Sequence, residues 1–141
     1  MDVCISELCA IECGPIGKLI MPWEYSQRSG ELHHNGVLVY DKGYSGAGFE
    51  KNQPDLEHVP NKGPIPRGTW MIGQPYSSNR VGPFALPLTP YGHNAHGRID
   101  FRIHGDNGSN LGNASEGCIV LPPDIRKRIA ASGDNTLYVV R

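Results

Sequence analysis

The stretch Phe101-Arg102-Ile103-His104-Gly105-Asp106-Asn107-Gly108-Ser109-Asn110-Leu111-Gly112-Asn113-Ala114-Ser115-Glu116-Gly117-Cys118-Ile119-Val120-Leu121 carries one histidine, one cysteine and four glycines in 21 residues. Phe101 and Ile103 at one end, and Ile119, Val120 and Leu121 at the other, read as two short strands joined by a polar loop. If the strands lie side by side, their loop-facing ends bring the His104 imidazole near the Cys118 thiol. A thiol beside a base is the arrangement that nucleophilic acyl transfer requires.

A free cysteine titrates near pH ~8.5, so only a small fraction is thiolate at neutrality, and a neighbouring imidazolium lowers that value. His104 can accept the thiol proton and later return it to a leaving amine. A third group should orient the imidazole, and the Gly105 carbonyl, Asp106 and the Ser115 hydroxyl are all candidates. The backbone N–H groups of Glu116, Gly117 and Cys118 are placed to form an oxyanion hole, with Gly117 letting the main chain approach a substrate closely. The residues alone leave a second reading open. Cys118 before three apolar residues also suits a small buried hydrophobe, and His104 also suits a satisfied histidine at a strand end.

Outward from this stretch, the chain of 141 residues has the length of one domain that needs neither disulfides nor metal for its core. Its formal net charge of −1 gives no footprint for nucleic acid. The basic cluster Arg126-Lys127-Arg128 reads as a solvated helix face. Eighteen glycines and twelve prolines, spread between apolar runs, indicate the turns of a β-rich domain. No stretch reaches the ~18 consecutive apolar residues of a membrane span. Met1 to Ile20 lacks a basic start and a clean apolar centre, so a Sec signal peptide is not expected. These residues, with Cys4, Cys9 and Cys13, read as an N-terminal extension (1–20) to a domain over 21–141. The spacing of the three cysteines matches no common zinc pattern, and no metal is expected.

From Trp23 to Tyr40 the alternation of apolar and polar residues predicts a β-meander, with Asn35-Gly36 as a hairpin turn. Residues 41–67 form a long glycine- and proline-rich connection of the kind that usually carries function. Its glycine run lacks the Gly-Lys-Ser/Thr ending of a phosphate loop. Tyr44, within it, is a candidate substrate contact. Thr69 to Ile72 reads as a strand, Gln74 to Tyr91 as a proline-punctuated surface passage, and Ile99 to Ile103 as a core strand. Pro123 to Ala131 is the one convincing helix, with Ile125 and Ile129 on one face and Gly133 placed to cap its end. Leu137 to Val140 closes the chain as a strand. His33, His34, His58, His93 and His96 lack metal-ligand spacing and read as surface or supporting residues.

The pair His104-Gly105, the loop, and then Ser115-Glu116-Gly117-Cys118 resemble the signature of the YkuD-like L,D-transpeptidases. The likeness is closer to the type VI secretion L,D-transpeptidase effectors. Their pattern is similar to Gly43-Tyr-Ser-Gly-Ala-Gly48, Asn52-Gln-Pro-Asp55, Val59-Pro-Asn-Lys-Gly-Pro-Ile-Pro66, Leu86-Pro-Leu-Thr-Pro90, Ile103-His-Gly-Asp106 and Ala114-Ser-Glu-Gly-Cys-Ile119. The motifs run in order through nearly all of Met21 to Val140. Two residues depart from the general family, which has histidine at the position of Glu116 and a polar residue at that of Val120. The 13 residues between His104 and Cys118 also make a slightly short loop.

The resemblance implies a mainly β fold, a YkuD-like β-sandwich or barrel with one short C-terminal helix. It implies peptidoglycan stem peptides as substrate, Cys118 as nucleophile, His104 as base and then acid, and no cofactor. It further implies an antibacterial toxin made in the cytoplasm and exported without a Sec signal, acting in the periplasm of a target cell. Its partners would be a type VI secretion delivery component and a cognate periplasmic immunity protein. A cysteine amidase or endopeptidase acting on the wall, and a non-catalytic wall-binding module, are the rival expectations.

Overall fold

The computed structural model describes residues 21–109 and 111–141. The N-terminal extension and its three cysteines therefore lie outside the described residues. Ten strands form one sheet: β1 (Trp23–Ser26), β2 (Leu32–His34), β3 (Val37–Tyr40), β4 (Tyr44–Ser45), β5 (Gly68–Ile72), β6 (Tyr76–Ser78), β7 (Gly82–Tyr91), β8 (Arg102–His104), β9 (Ile119–Val120) and β10 (Thr136–Val140). Their spatial order is β3-β2-β1-β10-β5-β7-β8-β9-β4, with β6 pairing separately to β7. The single α-helix among the described residues, α1 (Pro123–Ala131), connects β9 to β10. This is the mainly β fold with one short helix that the sequence predicts.

The meander forms where the alternation places it, and Asn35 and Gly36 both adopt positive φ (52° and 76°), as a two-residue hairpin turn demands. The closing strand β10 lies in the interior of the sheet. It inserts between β1, to which it runs parallel, and β5, to which it runs antiparallel.

Two sequence expectations fail here. Residues 82–91 are the longest strand of the protein rather than a surface passage. Its prolines need no ladder donor where only a carbonyl is used, as at Pro87, whose oxygen accepts from the Gly73 N–H (2.8 Å). The other failure concerns Ile99, which is exposed, the core strand beginning only at Arg102. Positive φ at Ala95, His96 and Asp100 makes that approach a run of turns, so alternation does not extend back through it.

β7 carries the sheet from one half to the other. Its last residues pair with β5, while Leu86 and Pro87 pair with β8. Trp23, Tyr25, Trp70, Leu137 and Val139 from one half meet Phe101, Ile103, Ile119 and Leu121 from the other in one buried cluster. Ile125 and Ile129 of α1 complete it, and Gly133 at φ 74° ends the helix. Edge-to-face contacts of Trp70 with Phe101 (4.9 Å) and His93 (5.1 Å) add to that burial.

Candidate active site

β8 and β9 are paired, but parallel. Ile103 stands opposite Ile119 and His104 opposite Val120, which puts Cys118 alongside Arg102. The loop-facing ends of the two strands therefore lie at opposite ends of the pair. Because the pleat repeats every two residues, Arg102, His104 and Cys118 nevertheless project from the same face. Both His104 and Cys118 border one cleft of about 950 Å³, whose walls include Asp100, Arg102, Glu116 and Gly117.

The imidazole is oriented by the main chain. His104 Nδ1 lies 2.8 Å from the Gly105 carbonyl, an acceptor, so Nδ1 carries the proton and Nε2 is left as the basic nitrogen. Of the three candidate orienting groups, Gly105 is the one in contact. Asp106 instead organises the loop. Its carboxylate accepts from the Tyr44 hydroxyl (2.7 Å), the Asn107 N–H (2.9 Å) and the Gly112 N–H (3.1 Å). Burial pushes the Asp106 carboxyl up, but these hydrogen bonds outweigh it and hold it below the usual aspartate range.

Tyr44 lies beneath the same loop rather than on the cleft wall. Its hydroxyl also accepts from the Ala114 N–H (2.9 Å), Lys51 sits over its ring, and burial with the Asp106 bond pushes its phenol up to about 12. Its geometry is that of a loop anchor, in place of the substrate contact expected from its position in the glycine run.

The turn before Cys118 is built from side chains bonding to backbone. Ser115 Oγ donates to the Cys118 carbonyl (2.6 Å) and accepts from the N–H groups of Gly117 (3.0 Å) and Gly46 (2.9 Å). Ser45 Oγ donates to the Gly117 carbonyl (2.9 Å) and accepts from the Ile65 N–H (2.8 Å). The Gly117 N–H is thus already engaged and cannot serve an oxyanion, contrary to the expectation from sequence. With the Gly117 carbonyl turned toward Ser45, peptide planarity directs the Cys118 N–H to the opposite side.

Arg98 completes the frame, donating to the carbonyls of Glu57, Gly63, Pro64 and Glu116 while its guanidinium lies 5.1 Å from the centre of the Phe101 ring. Gly117 sits at φ 132°, and a Cβ there would collide with the Arg98 guanidinium, so glycine is required on both counts.

Burial dominates the electrostatics of His104 and Cys118. It pushes the Cys118 thiol above its ordinary value, against the opposing pull of the Arg102 backbone N–H and guanidinium. It holds His104 below the usual histidine range, the Gly105 bond opposing and Arg102 and Arg126 reinforcing. Both directions favour a neutral thiol beside a neutral imidazole over an imidazolium–thiolate pair. The thiol is 3.6 Å from the Asp100 carbonyl, to which it donates a hydrogen bond. Asp100 holds the left-handed conformation (φ 66°) that aims this carbonyl.

Arg126 also departs from expectation. It is buried, and it donates to the carbonyls of Pro83, Phe84 and Leu121, tying α1 to β7 and to the strand that follows Cys118. Lys127 and Arg128 remain exposed. Three of the other histidines have partners within the fold: His34 pairs with Asp134 (3.0 Å) and stacks on Trp23, His93 bonds to the Thr69 carbonyl, and His96 meets Glu57 (2.7 Å). No group of His, Cys, Asp or Glu among the described residues has the arrangement of a metal site. No helix among them is long and apolar enough to cross a membrane. Sequence reasoning assigned no role to Arg98, Arg102 or Ser45, although Ser45 lies inside the glycine motif 43–48 and Arg102 inside the stretch 101–121.

The model of the Tlde1 domain matches residues 40–139, from the last residue of β3 into β10. The chain belongs to the Tlde1 domain family. This is the type VI secretion L,D-transpeptidase effector family that its motifs resemble. No curated protein sequence matches the chain.

The Tlde1 fold is also similar to solved structures. Pgp2, a helical cell shape determining protein from Campylobacter jejuni, is 20% identical with a TM-score of 0.51, over 84% of this chain and 46% of that one. Bd1075 from Bdellovibrio bacteriovorus is 13% identical with a TM-score of 0.54, over 83% and 46%. The L,D-transpeptidase of Enterococcus faecium, as a cysteine-to-serine mutant, is 14% identical with a TM-score of 0.50, over 86% and 50%. At such identities the likeness is one of fold, and the chain spans about half the length of each structure.

Proposed function

We propose that this Tlde1 domain is a cysteine L,D-carboxypeptidase and L,D-transpeptidase of peptidoglycan stem tetrapeptides. The observation that carries this reading is the placing of His104 and Cys118 on one face of the parallel pair β8/β9, bordering one cleft, with the imidazole oriented by the Gly105 carbonyl. His104 Nε2 takes the thiol proton as Cys118 Sγ attacks the carbonyl at the L-centre of diaminopimelate. The C–S bond forms, and the C–N bond to the terminal D-alanine breaks as the imidazolium returns the proton to the departing amine. Water then resolves the thioester to a tripeptide, or the amine of a D-amino acid or a second stem resolves it to an exchanged product. His104 accepts the proton of whichever attacks. A neutral thiol at rest suits such concerted removal of the proton, and the Cys118 N–H is the candidate oxyanion donor.

In the cell this reading makes the protein an antibacterial toxin acting in the periplasm of a target bacterium. Its partners are a type VI secretion delivery component and a periplasmic immunity protein. Removal of terminal D-alanine depletes the tetrapeptides used in ordinary cross-linking. Mass spectrometry of purified muropeptides incubated with wild type, Cys118→Ala and His104→Ala tests the chemistry. Conversion of tetrapeptide to tripeptide or exchanged tetrapeptide by wild type alone is the expected result. Cleavage at another bond by folded wild type would show an amidase or endopeptidase instead, and an unchanged profile would remove the enzymatic reading.

A further inference from the structure

Three arginines surround the strand pair that bears the nucleophile, and they differ in what their guanidinium groups hold. Arg98 donates to four backbone carbonyls and Arg126 to three. These two are structural cross-links. Arg102 is not. The register of β8 and β9 sets it beside Cys118, and it lines the cleft in a half-buried position.

Among the described residues Arg102 forms no ion pair. Of the carboxylates bordering the same cleft, Asp106 is engaged by Tyr44 and the loop backbone, and Asp100 and Glu116 are exposed and unpaired with it. A guanidinium held at a cleft wall with its N–H fork unmatched by an anion is a site for a planar carboxylate, the partner that fork fits with two parallel hydrogen bonds.

The reaction proposed above supplies such a carboxylate. In an amide whose leaving group is a single terminal amino acid, the carboxylate carbon lies about 4 Å from the reacting carbonyl carbon. With that carbonyl over Cys118 Sγ, the carboxylate falls within reach of the residue next to Cys118 on the neighbouring strand. Resting on that reading, we propose that Arg102 is the specificity-determining residue, gripping the free terminal carboxylate of the stem peptide. It thereby limits cleavage to the last residue. A stem that continues beyond the scissile bond offers an amide there instead, and leaves the guanidinium unpaired.

Two matched peptides test this: a tetrapeptide ending in D-alanine with its free carboxylate, and the same peptide ending in D-alaninamide. Release of the terminal residue is measured for wild type, Arg102→Gln and Arg102→Lys. Wild type should favour the acid by about 100-fold in kcat/KM. Arg102→Gln should bring the two substrates to within about threefold of each other, and Arg102→Lys should restore part of the preference. Equal loss on both peptides in Arg102→Gln, or no preference in wild type, overturns the proposal.

Binding measured by calorimetry in the Cys118→Ala background separates the two layers of inference. If wild type cleaves neither peptide while Cys118→Ala binds the acid in an Arg102-dependent manner, the reaction assignment fails and the carboxylate site stands. If Arg102→Gln leaves binding of the acid unchanged, the site fails whatever the reaction.

Discussion

The two halves of the sheet are held together by different forces. In β1, β2, β5 and β10, three- to five-residue strands bury Trp23, Tyr25, Leu32, Trp70 and Leu137 in continuous ladders, and burial of large apolar side chains supplies the stability. Around β4, β8 and β9 the strands are two or three residues long. There the chain is fixed by side chains bonded to main-chain groups: Ser45, Ser115, Arg98, Arg126, and Tyr44 with Asp106. Apolar packing tolerates small displacements. A hydrogen-bonded frame of this density sets the direction of individual peptide groups, which a site for acyl transfer needs. The connection 41–67 belongs to this second half, since its Ser45, Gly46, Gly63 and Ile65 brace the turn before Cys118.

Substitutions can separate these roles. Cys118→Ala should abolish turnover, by at least about 10³-fold, while leaving thermal unfolding nearly unchanged. A large loss of stability would show the thiol to be part of the core. Trp70→Ala, in the other half, should cost about 3–5 kcal/mol in denaturant unfolding. Any turnover that remains should scale with the folded fraction, and a specific kinetic defect would argue that the halves are not separable.

Ser115→Ala removes one hydroxyl that makes three bonds and leaves the Gly117 and Gly46 N–H groups unpaired, at a cost of about 1–3 kcal/mol. Here kcat should fall as well, because the turn that aims the Cys118 peptide loosens. Intact kcat in a destabilised protein would limit the frame to a structural role.

Glu57 joins the halves, accepting from Gln27, Arg67 and His96. Burial pushes its carboxyl up, but those bonds prevail and hold it at about 2 against an ordinary 4.5. Its contribution is present in full above about 4.5 and lost as pH falls toward 2. With Arg67 and His96 partly exposed, screening reduces it to about 2 kcal/mol. Glu57→Gln should flatten the stability of the protein across that acid window in urea titrations; an unaltered slope would place the acid sensitivity elsewhere.

The smallest effect concerns the rate. Since burial keeps His104 neutral to lower pH than a free histidine, the acid limb of kcat/KM should lie below the ordinary histidine range. A limb at or above that range would mean that substrate or an imidazolium–thiolate pair governs the titration.

The apolar half was the more legible of the two. Alternation at Trp23 and Tyr25, the Asn35-Gly36 turn and the Ile125/Ile129 spacing each express a local period that survives into the fold. β7 was misread because Pro83, Pro87 and Pro90 are strand breakers only where the ladder needs their missing N–H. Ile99 was misplaced because a run of positive φ interrupts an alternation that continues in the residues. At the site, His104 and Cys118 were visible as residue types with a resembling motif. Their protonation was not, because burial outweighs proximity and burial is a property of the packed molecule. Tyr44 stands out in the sequence as the aromatic residue of the glycine run, but it lies in strand β4, and whether such a residue faces substrate or braces a loop depends on what packs against it.

The linear chain was enough for the helix, the meander, the candidate pair His104 and Cys118, and a likeness to an effector family that the Tlde1 match supports. These rest on short-range periodicity and on ordered motifs, both properties of the linear chain. Only the packed molecule shows that β8 and β9 run parallel, that the Gly105 carbonyl orients the imidazole, that the Gly117 N–H is engaged, and that Arg102 lies beside Cys118 on the cleft wall. Each of these depends on the register between strands distant in sequence. A shift of one residue would turn Cys118 to the opposite face from His104, and nothing local in either segment specifies that register.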